Sequence, residues 1–348
     1  MRSYGFFIHP QGKAGFANRL VELMPEHEIY IEPFCGAASV FLRKPRAKQE
    51  ILADHNKWIV KYLEAIKSIG DDELEKLRSL KWDFDSKDEL VSYFRNRRKA
   101  PEDKAEFIHW FRILSTYSWG ANSIFWIDDD GYLTDSGLSN FKDKSAKLRK
   151  IDADGFIHSI KEKLRPRLEG VKIIRADALK LIEKYADNSK IFWFLDPPYP
   201  EPVDRSHGSF DNIAKPFDYE KFLSLLGRIK GKFMLTLNQK SVSMKEDWLR
   251  GLHIKRLRVR SPSSDNTTER IELVITNYRI DKGVRVPQTR AEAQQELERI
   301  MGDYFMVEEN GEIHPAVLEY HLRGIWYSED VPKIRQQIQE AFDDKEKL

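Results

Sequence analysis

The sequence contains a single cysteine, Cys35, among its 348 residues. One thiol cannot form an internal disulfide or a cysteine-rich zinc site, and such scarcity is typical of proteins in a reducing compartment. The histidines are scattered, and no pair has the spacing of metal ligands. The sequence therefore predicts no bound metal and argues against a disulfide-stabilised fold.

Long apolar runs are also absent. No stretch approaches the roughly 18 consecutive apolar residues that a membrane-spanning helix needs, and the first residues lack the apolar core and cleavage site of a signal peptide. Aromatic residues make up 12% of the chain, which excludes disorder as its main state because so much ring area requires burial. We therefore expect a soluble, intracellular, cytoplasmic protein with no membrane partner.

The net charge is close to zero, at +2, but it is unevenly distributed. Residues 288–348 carry a net charge of −7, which leaves +9 on residues 1–287. A basic body suits a phosphate-rich partner such as nucleic acid, but the solvated surface of an ordinary enzyme explains the same charge almost as well. Charge alone does not decide between these interpretations.

Apolar segments of strand length alternate with amphipathic helical segments in two parts of the chain, residues 1–70 and 168–282. The strands are predicted at residues 29–31, 51–53, 171–174, 191–195, 233–237 and 271–277. The helices are predicted at residues 14–23, from 40 onward, 58–69, 178–185 and 219–229. This alternation is typical of an α/β fold with a doubly wound, largely parallel sheet.

Residues 71–167 interrupt the alternation and are interpreted as an inserted, mainly helical module. The module includes an aromatic-rich helix near residues 106–117 and a hairpin over residues 124–133 that turns at Asp129, Asp130 and Gly131. Residues 283–348 form a small acidic extension, in which helices are predicted at residues 289–301 and 331–342. The sequence does not decide the role of this extension.

Asp196-Pro197-Pro198-Tyr199 directly follows the apolar run at residues 191–195. A strand buried on both faces places Asp196 at its carboxyl end, where open α/β sheets form their ligand crevice. The two prolines stiffen the backbone and lack N–H donors, so neighbouring carbonyls face outward as acceptors. A carboxylate, a carbonyl and the Tyr199 ring together suit a flat base with an amino group. In isolation, such a motif is also an ordinary turn after a strand.

Five segments occur in the order and spacing of a known family. They are Gln11-Gly12-Lys13, Glu32-Pro33-Phe34-Cys35-Gly36-Ala37-Ala38-Ser39, Ala53-Asp54-His55-Asn56, Arg175-Ala176-Asp177-Ala178 and Asp196-Pro197-Pro198-Tyr199. With these segments the chain resembles the Dam-like (D12 class, alpha group) DNA adenine N6-methyltransferases. The resemblance implies a Rossmann-like methyltransferase sheet, and site-specific transfer of a methyl group from S-adenosylmethionine to the amine of a flipped adenine in double-stranded DNA.

The resemblance also implies the site residues. The cofactor-binding residues would be His9, Lys13, Phe34, Cys35, Gly36, Asp54, Asp177 and Asp196, and the catalytic residues would be Asp196, Pro197, Pro198 and Tyr199. In this family the turn at Gly36 approaches the cofactor, Asp54 binds the ribose hydroxyls and Asp177 accepts from the adenine amino group. Four alternatives stay open: Asp54 and Asp177 could each be a helix N-cap, His9 could simply pack, and Lys13 could be a solvated lysine at a helix start.

The inserted module lies where this family carries its target recognition domain. Its expected DNA-binding residues are Arg95, Arg97, Arg98, Lys99, Asn122, Ser123 and Trp126. The basic cluster is expected to contact phosphates, and the residues before the hairpin are expected to read bases. A second basic segment, residues 250–260, precedes a polar loop at residues 261–268. We expect this loop to lie against DNA. The alternative is that the basic segment is an exposed strand edge. No recognition sequence follows from these residues.

Other activities remain open from the sequence. N4-cytosine methylation or RNA adenine methylation would bind an amino group through the same acceptors. A nucleic-acid-binding protein could also keep the fold without catalysis. The last alternative draws on Gln11, which replaces a glycine, and on Ala37 and Ala38, which follow Gly36 where Gly-x-Gly-Ser is common in the family. If the enzyme belongs to a restriction–modification system, a cognate restriction endonuclease is a further partner. The oligomeric state is not predicted.

Overall fold

The structure, a computed structural model, describes residues 5–9, 12–141, 150–199, 217–238, 247–260, 269–280 and 284–285. The chain divides into two compact units. The first contains residues 1–196, 205–231 and 260–268, and the second contains residues 197–204, 232–259 and 269–348. The predicted tail helices and the polar loop at residues 261–268 lie outside the described residues.

Four strands form the sheet of the first unit. They are β1 (Ile29–Glu32), β2 (Gln49–Asp54), β3 (Lys172–Arg175) and β4 (Ile191–Leu195). Their order is β3-β2-β1-β4, and every neighbouring pair is parallel. The chain starts in the middle, moves outward to β3 and then returns to the opposite side of β1. This is the strand order of a doubly wound sheet, so the predicted Rossmann-like α/β fold class is confirmed.

The reversal between β1 and β4 fixes where a ligand crevice forms. In a doubly wound sheet the crevice lies at the carboxyl ends of the two strands where the winding reverses. Here β1 ends at Glu32, and Asp196 directly follows β4. All five residues of β4 are buried, as expected of a strand that is covered on both faces.

Helices flank the strands of the first unit in chain order. They are α1 (Ala17–Val21), α2 (Lys57–Ser68), α9 (Ala178–Tyr185) and α10 (Tyr219–Leu226), and a short 3₁₀ helix, Lys13–Gly15, precedes α1. The predictions for α2, α9 and α10 are confirmed. The single helix predicted at residues 14–23 is instead divided at Phe16, whose φ and ψ of −139° and 13° are not helical.

The helix predicted from Val40 is wrong. The segment after β1 forms successive turns, in which the Leu42 N–H donates to the Ala38 carbonyl at 2.9 Å and the Arg43 N–H donates to the Val40 carbonyl at 3.0 Å. Gly36 and Ala38 both have a φ of 46°. The bonds from Leu42 and Arg43 span four and three residues and do not continue as a regular ladder, so this apolar segment of helical appearance forms turns instead.

The inserted segment is mainly helical in the residues described. Its helices are α3 (Asp71–Ser79), α4 (Lys87–Asn96), α5 (Lys104–Tyr117), α6 (Asp135–Ser139), α7 (Ala153–Ser159) and α8 (Arg165–Leu168), with a 3₁₀ helix at Trp119–Phe125 and a π-helical turn at Ile160–Leu164. The predicted hairpin forms, and Ile127 and Leu133 make an antiparallel bridge. Its turn uses Gly131, whose φ is 92°. The domain boundaries at residues 71 and 167 stay a prediction.

A buried charged cluster connects the inserted segment to the turn that follows β1. Glu50 accepts from Lys44 Nζ at 2.6 Å and from both terminal nitrogens of Arg167 at 2.6 and 2.9 Å. The Arg167 guanidinium also lies 3.6 Å above the Phe41 ring and donates to its carbonyl at 3.0 Å. Desolvation would raise the pKa of Glu50, but its bonds to Arg167 and Lys44 lower it below the usual value.

The second unit contains β5 (Lys232–Asn238), β6 (His253–Arg260), β7 (Glu269–Thr276) and β8 (Val284–Arg285), in the order β5-β7-β6-β8. β5 and β7 are antiparallel, with Asn238 opposite Glu272. The basic residues 253–260 form a strand with Ile254, Leu257 and Val259 buried. Among the described residues no helix combines the length and hydrophobicity that a bilayer crossing requires.

A glycine permits a close approach where the chain leaves α10 and passes the start of β4. Lys230 N–H donates to the Ala186 carbonyl at 2.8 Å, and a Cβ added to Gly231 would lie 2.2 Å from the carbonyl oxygen of Ile191. The contacted atom belongs to the backbone, so it cannot move aside as a flexible side chain can.

We predict that Gly231→Ala destabilises the protein by about 1–3 kcal/mol, because the backbone must shift to admit a methyl group. Thermal denaturation followed by circular dichroism measures the effect. Gly227→Ala is the matched control, since its added Cβ would lie 3.7 Å from the nearest atom. Equal melting temperatures for the two variants would contradict the close approach.

Candidate functional site

Asp196, at the carboxyl end of β4, forms an ion pair with Lys13. The Lys13 Nζ lies 2.6 Å from Asp196 Oδ1, and the two side chains are 4% and 21% exposed. Because the lysine is nearly buried, little water separates the ammonium group from the carboxylate, and their hydrogen bond is charge-assisted. The contact was not predicted, since Lys13 was expected only to border the methionine end of a cofactor.

Glu32, at the carboxyl end of β1, is a second acid near Asp196. Its side chain is buried and accepts a hydrogen bond from the Tyr30 hydroxyl at 2.7 Å. Burial raises the pKa of Glu32 to about 8; the Tyr30 bond opposes the rise and the negative charge of Asp196 adds to it. Glu32 is therefore mainly protonated at neutral pH, and the two neighbouring strand ends carry one negative charge, on Asp196.

The turn after β1 is joined to the end of β2 by backbone hydrogen bonds. Cys35 N–H donates to the Ala53 carbonyl at 2.9 Å, and Gly36 N–H donates to Asp54 Oδ2 at 2.9 Å. The other oxygen of Asp54 accepts from Asn56 N–H at 2.9 Å. Asn56, rather than Asp54, is the N-cap of α2, so the helix-cap interpretation of Asp54 is wrong.

The Asp54 carboxylate can accept further hydrogen bonds beyond those from Gly36 and Asn56. Its side chain is half-buried, and a carboxylate that accepts one N–H on each oxygen has further lone pairs. Burial raises the pKa of Asp54, and the bonds from Asn56 and Gly36 oppose that rise. The carboxylate is thus fixed in place by the backbone of its own strand end and of the neighbouring turn.

His9 lies directly against Gly36. A Cβ added to Gly36 would lie 3.1 Å from His9 Nε2, and the Gly36 φ of 46° also favours glycine. The imidazole makes edge contacts with Phe7 and Phe125 at centroid distances of 5.9 and 5.5 Å. His9 therefore does pack against neighbouring rings, and it does so beside the predicted cofactor turn.

Cys35 and Phe34 differ in exposure within that turn. Cys35 is buried, and burial raises the pKa of its thiol well above the usual range, so it is a neutral space-filling residue. Phe34 is half-buried and makes edge contacts with Phe217 and Phe222 at 5.6 and 6.0 Å. Phe34 thus keeps part of its ring exposed for contact with another molecule.

Asp177 follows β3 and is the N-cap of α9. Its Oδ1 accepts from Leu179 N–H at 2.8 Å and from Lys180 N–H at 3.2 Å, which confirms the helix-cap interpretation. The side chain is exposed, and within the described residues Oδ2 accepts no hydrogen bond. A contact between Asp177 and a cofactor stays a prediction.

The remaining residues of the Asp-Pro-Pro-Tyr motif belong to the second unit. Pro197 is buried, Pro198 is exposed and Tyr199 is half-buried. The Tyr199 hydroxyl donates to Oε1 of Glu272, a buried residue of β7. Glu272 was missed in the sequence, although a single acid within the apolar segment at residues 271–275 is the signal that could have identified it.

The predicted basic DNA-binding residues lie around the end of α4 and the hairpin. Arg95, Arg97 and Lys99 are exposed. Arg98 is partly covered, because it donates to the Leu133 carbonyl at 3.1 Å and pairs with Asp135. The exposed members therefore remain accessible to a phosphate backbone, whereas Arg98 also holds the hairpin.

The three predicted residues near the hairpin differ in accessibility. Trp126 and Asn122 are half-buried, and Oδ1 of Asn122 has no hydrogen-bond partner within the described residues. Ser123 is fully buried, and its hydroxyl donates to the Gly137 carbonyl at 2.9 Å. Contact between Ser123 and DNA would therefore require this segment to rearrange.

Comparisons with known proteins identify relatives of the chain. Residues 12–259 match the family described as D12 class N6 adenine-specific DNA methyltransferase. The chain is 25% identical over 296 residues to Type II methyltransferase M.MjaIII from Methanocaldococcus jannaschii, a match that covers 77% of this chain and 96% of the relative. A crystal structure of an rRNA methylase from Streptococcus thermophilus aligns with 80% of this chain and 99% of that chain, at 8% identity. The TM-score of that alignment is 0.27.

The protonated state of Glu32 predicts a pH-dependent effect of Glu32→Gln on stability. Between its ordinary pKa of 4.5 and about 8, Glu32 holds a proton in the folded protein but not in the unfolded chain. Unfolding then releases a proton, so the free energy of unfolding falls as the pH rises through this range. Gln cannot ionise, so we expect the variant to gain melting temperature relative to the original protein as the pH rises to about 8.

Melting curves between pH 5 and pH 9 measure the difference, which is expected to level off above about pH 8. Glu169→Gln, which changes an exposed acid, is the control and should show no such trend. A difference that is constant across the range would mean that Glu32 is ionised throughout.

Proposed function

This chain belongs to the D12 class of N6 adenine-specific DNA methyltransferases, and on that basis we propose which of its residues carry the reaction. It is an enzyme that methylates adenine in DNA. The motifs left open three other roles, namely N4-cytosine methylation, RNA methylation and a non-catalytic function. None of these is the activity of this family. We propose that the methyl group passes from S-adenosylmethionine to N6 of an adenine turned out of double-stranded DNA.

The ion pair between Lys13 and Asp196 is the observation that carries the residue assignment. The lone pair of adenine N6 is delocalised into the ring, and the nitrogen gains positive charge as it attacks a methyl group. A fixed anion that accepts an amino proton favours the nucleophilic geometry and stabilises that charge. Lys13 supports the anionic form of Asp196, and protonated Glu32 adds no competing charge nearby.

The residues that follow Asp196 in the motif are proposed to complete the binding site for the base. Pro197 and Pro198 hold the backbone in a fixed conformation, so that a carbonyl beside Asp196 accepts the second amino proton. The half-buried ring of Tyr199 is proposed to stack on the face of the adenine. These groups orient the amine and exclude water from it, which is the chief task when the methyl group is already activated.

The residues at the turn after β1 fit S-adenosylmethionine. Gly36, with its left-handed φ, and the small residue Cys35 let the backbone approach a ligand, and Asp54 offers fixed acceptor oxygens to ribose hydroxyls. The partly exposed ring of Phe34 and the free oxygen of Asp177 suit the adenine portion. His9 and Lys13 are proposed to border the methionine portion. When bound, S-adenosylmethionine supplies a methyl group activated by a sulfonium centre.

The inserted segment is proposed to hold the DNA. Arg95, Arg97 and Lys99 are exposed and suit phosphate contacts, and Arg98 is proposed to contribute while it holds the hairpin. Asn122, Trp126 and, after rearrangement, Ser123 are proposed to read bases or to fill the vacancy that a flipped adenine leaves.

The cellular context is proposed from the substrate and the relative. M.MjaIII is named a Type II methyltransferase, which supports a role of this chain in restriction–modification, with a cognate restriction endonuclease as a partner. A cytoplasmic location is part of this proposal. Methylation-aware sequencing of DNA from cells that express the protein tests the proposed base and site specificity together; unmodified adenine throughout would refute both.

We predict that Asp196→Asn lowers methyl transfer by about 100-fold or more, because it removes the anion that stabilises developing charge. Transfer of a tritiated methyl group from S-adenosylmethionine to DNA measures the rate, and calorimetry measures cofactor binding. Binding is expected to persist. Asp187→Asn, which alters an exposed acid paired with Lys230 at 2.8 Å, is the matched control. Full activity of Asp196→Asn would refute the assignment.

We predict that Gly36→Ala weakens S-adenosylmethionine binding by about tenfold. An alanine pays roughly 1–2 kcal/mol in the left-handed region, and its Cβ would lie 3.1 Å from His9 Nε2. Calorimetric titration measures the dissociation constant. Gly15→Ala is the control, because its Cβ would meet no atom within 4 Å. Unchanged affinity in Gly36→Ala would show that the cofactor does not depend on this turn.

A further inference from the structure

Glu272 is an acid at a position where strands usually carry apolar residues. It lies in β7 opposite Asn238 of β5, and its side chain has no exposed surface. Its neighbours Leu273, Val274 and Ile275 are also buried. Removing a carboxyl group from water costs free energy unless polar partners compensate for the lost hydration. The position of Glu272 therefore requires an explanation in terms of what the carboxyl group contacts.

The contact that distinguishes Glu272 is with Tyr199. The Tyr199 hydroxyl donates to Glu272 Oε1, and the two residues are 73 positions apart in the chain. Both belong to the second unit, so the bond lies within one compact body. The acceptor is fully buried, whereas the tyrosine is half-buried. Glu272 thus holds the inner end of a ring that is partly exposed.

This bond constrains the orientation of the ring as well as its position. The Cβ, the ring axis and the hydroxyl oxygen of a tyrosine lie on one line, so an acceptor at the oxygen fixes the direction in which the side chain leaves the backbone. The phenolic O–H prefers the plane of the ring because its oxygen is conjugated with the ring. An acceptor in a fixed place therefore also limits rotation of the ring about that line.

We propose that Glu272 is a positioning residue that holds the Tyr199 ring ready to stack on the target adenine. The inference rests on the proposed function, because it assigns Glu272 a task only if Tyr199 contacts the base. The carboxylate does not reach the reacting atoms; it acts through the phenol. A hydrogen bond to a buried acceptor holds the ring in one orientation before DNA arrives, so less ordering is needed on binding.

Three variants separate positioning from a structural role. Tyr199→Phe keeps the ring and removes only the hydroxyl, Glu272→Leu removes the acceptor, and Glu272→Gln keeps an acceptor oxygen of similar shape. Steady-state methylation is measured on unmethylated genomic DNA, with the double variant Tyr199→Phe/Glu272→Leu included. We expect each of the first two variants to lose about tenfold in kcat/KM, the effect of losing one buried hydrogen bond.

The double variant is expected to be no worse than either single variant, because both changes break the same bond. Glu272→Gln is expected to recover most of the loss. Two results would overturn the proposal. One is a loss of kcat/KM in the double variant that equals the product of the two single losses. The other is full activity of Tyr199→Phe together with reduced activity of Glu272→Leu. Either result would mean that Glu272 acts independently of the phenol, as a residue needed only for folding would.

A spectroscopic measurement adds a test that stability alone would not affect. A duplex with 2-aminopurine at the target position, built on the site that methylation-aware sequencing identifies, reports stacking through fluorescence quenching by the aromatic ring. Glu272→Leu is expected to reduce the quenching, and an unchanged signal would overturn the proposal. If the original protein methylates no adenine, the proposed function is wrong. If the original protein methylates adenine and Glu272→Leu is equally active, only the positioning role is wrong.

Discussion

The structure places two acids at neighbouring strand ends, Glu32 as the last residue of β1 and Asp196 directly after β4, and the proposed site depends on the different surroundings of the two. Burial and the charge of Asp196 favour the protonated form of Glu32, while Lys13 pairs with Asp196 at 2.6 Å. Two adjacent carboxylates without a cation would repel each other. Under the proposed function, this arrangement leaves Asp196 as the single charged acceptor for a base.

The rest of the first unit supports this arrangement mainly through backbone atoms. The turn after β1 is joined to β2 by the N–H groups of Cys35 and Gly36, and β3 is joined to β2 by the bond from Ala176 N–H to the Asp54 carbonyl at 3.1 Å. Backbone groups lose little entropy when they bond, since their positions are already set by the strands. The strand ends therefore form a hydrogen-bonded frame, in which Asp54 and Asp196 have different surroundings and, as proposed, different roles.

The sequence predicted the parts of the fold whose information is local. The apolar run at β4 and the amphipathic pattern of α9 predicted their observed bounds, and Asp196 was placed at a strand end because the apolar run stops at Leu195. The helix from Val40 was wrong because the pattern of apolar residues does not reveal the turns that follow β1, in which Ala38 takes a positive φ without being glycine. Such a conformation depends on the surrounding turn.

Pairwise contacts of the site were beyond sequence reasoning for a different reason. Lys13 and Asp196, or Tyr199 and Glu272, are far apart in the chain, and nothing in either local segment specifies the partner. The position of each acid within an apolar segment does indicate that it is unusual, because Glu32 ends a buried strand and Glu272 interrupts one. What each acid contacts becomes evident only when the fold brings the segments together.

The charged cluster around Glu50 has a consequence for attempts to exchange the inserted segment between related enzymes. Arg167 comes from the last helix of the inserted segment, yet it pairs with a carboxylate of β2 and covers the Phe41 ring in the turns that follow β1. A chimera that replaced this helix with foreign sequence would leave Glu50 with one cation instead of two. The splice point therefore belongs before α8, so that the recipient retains its own guanidinium.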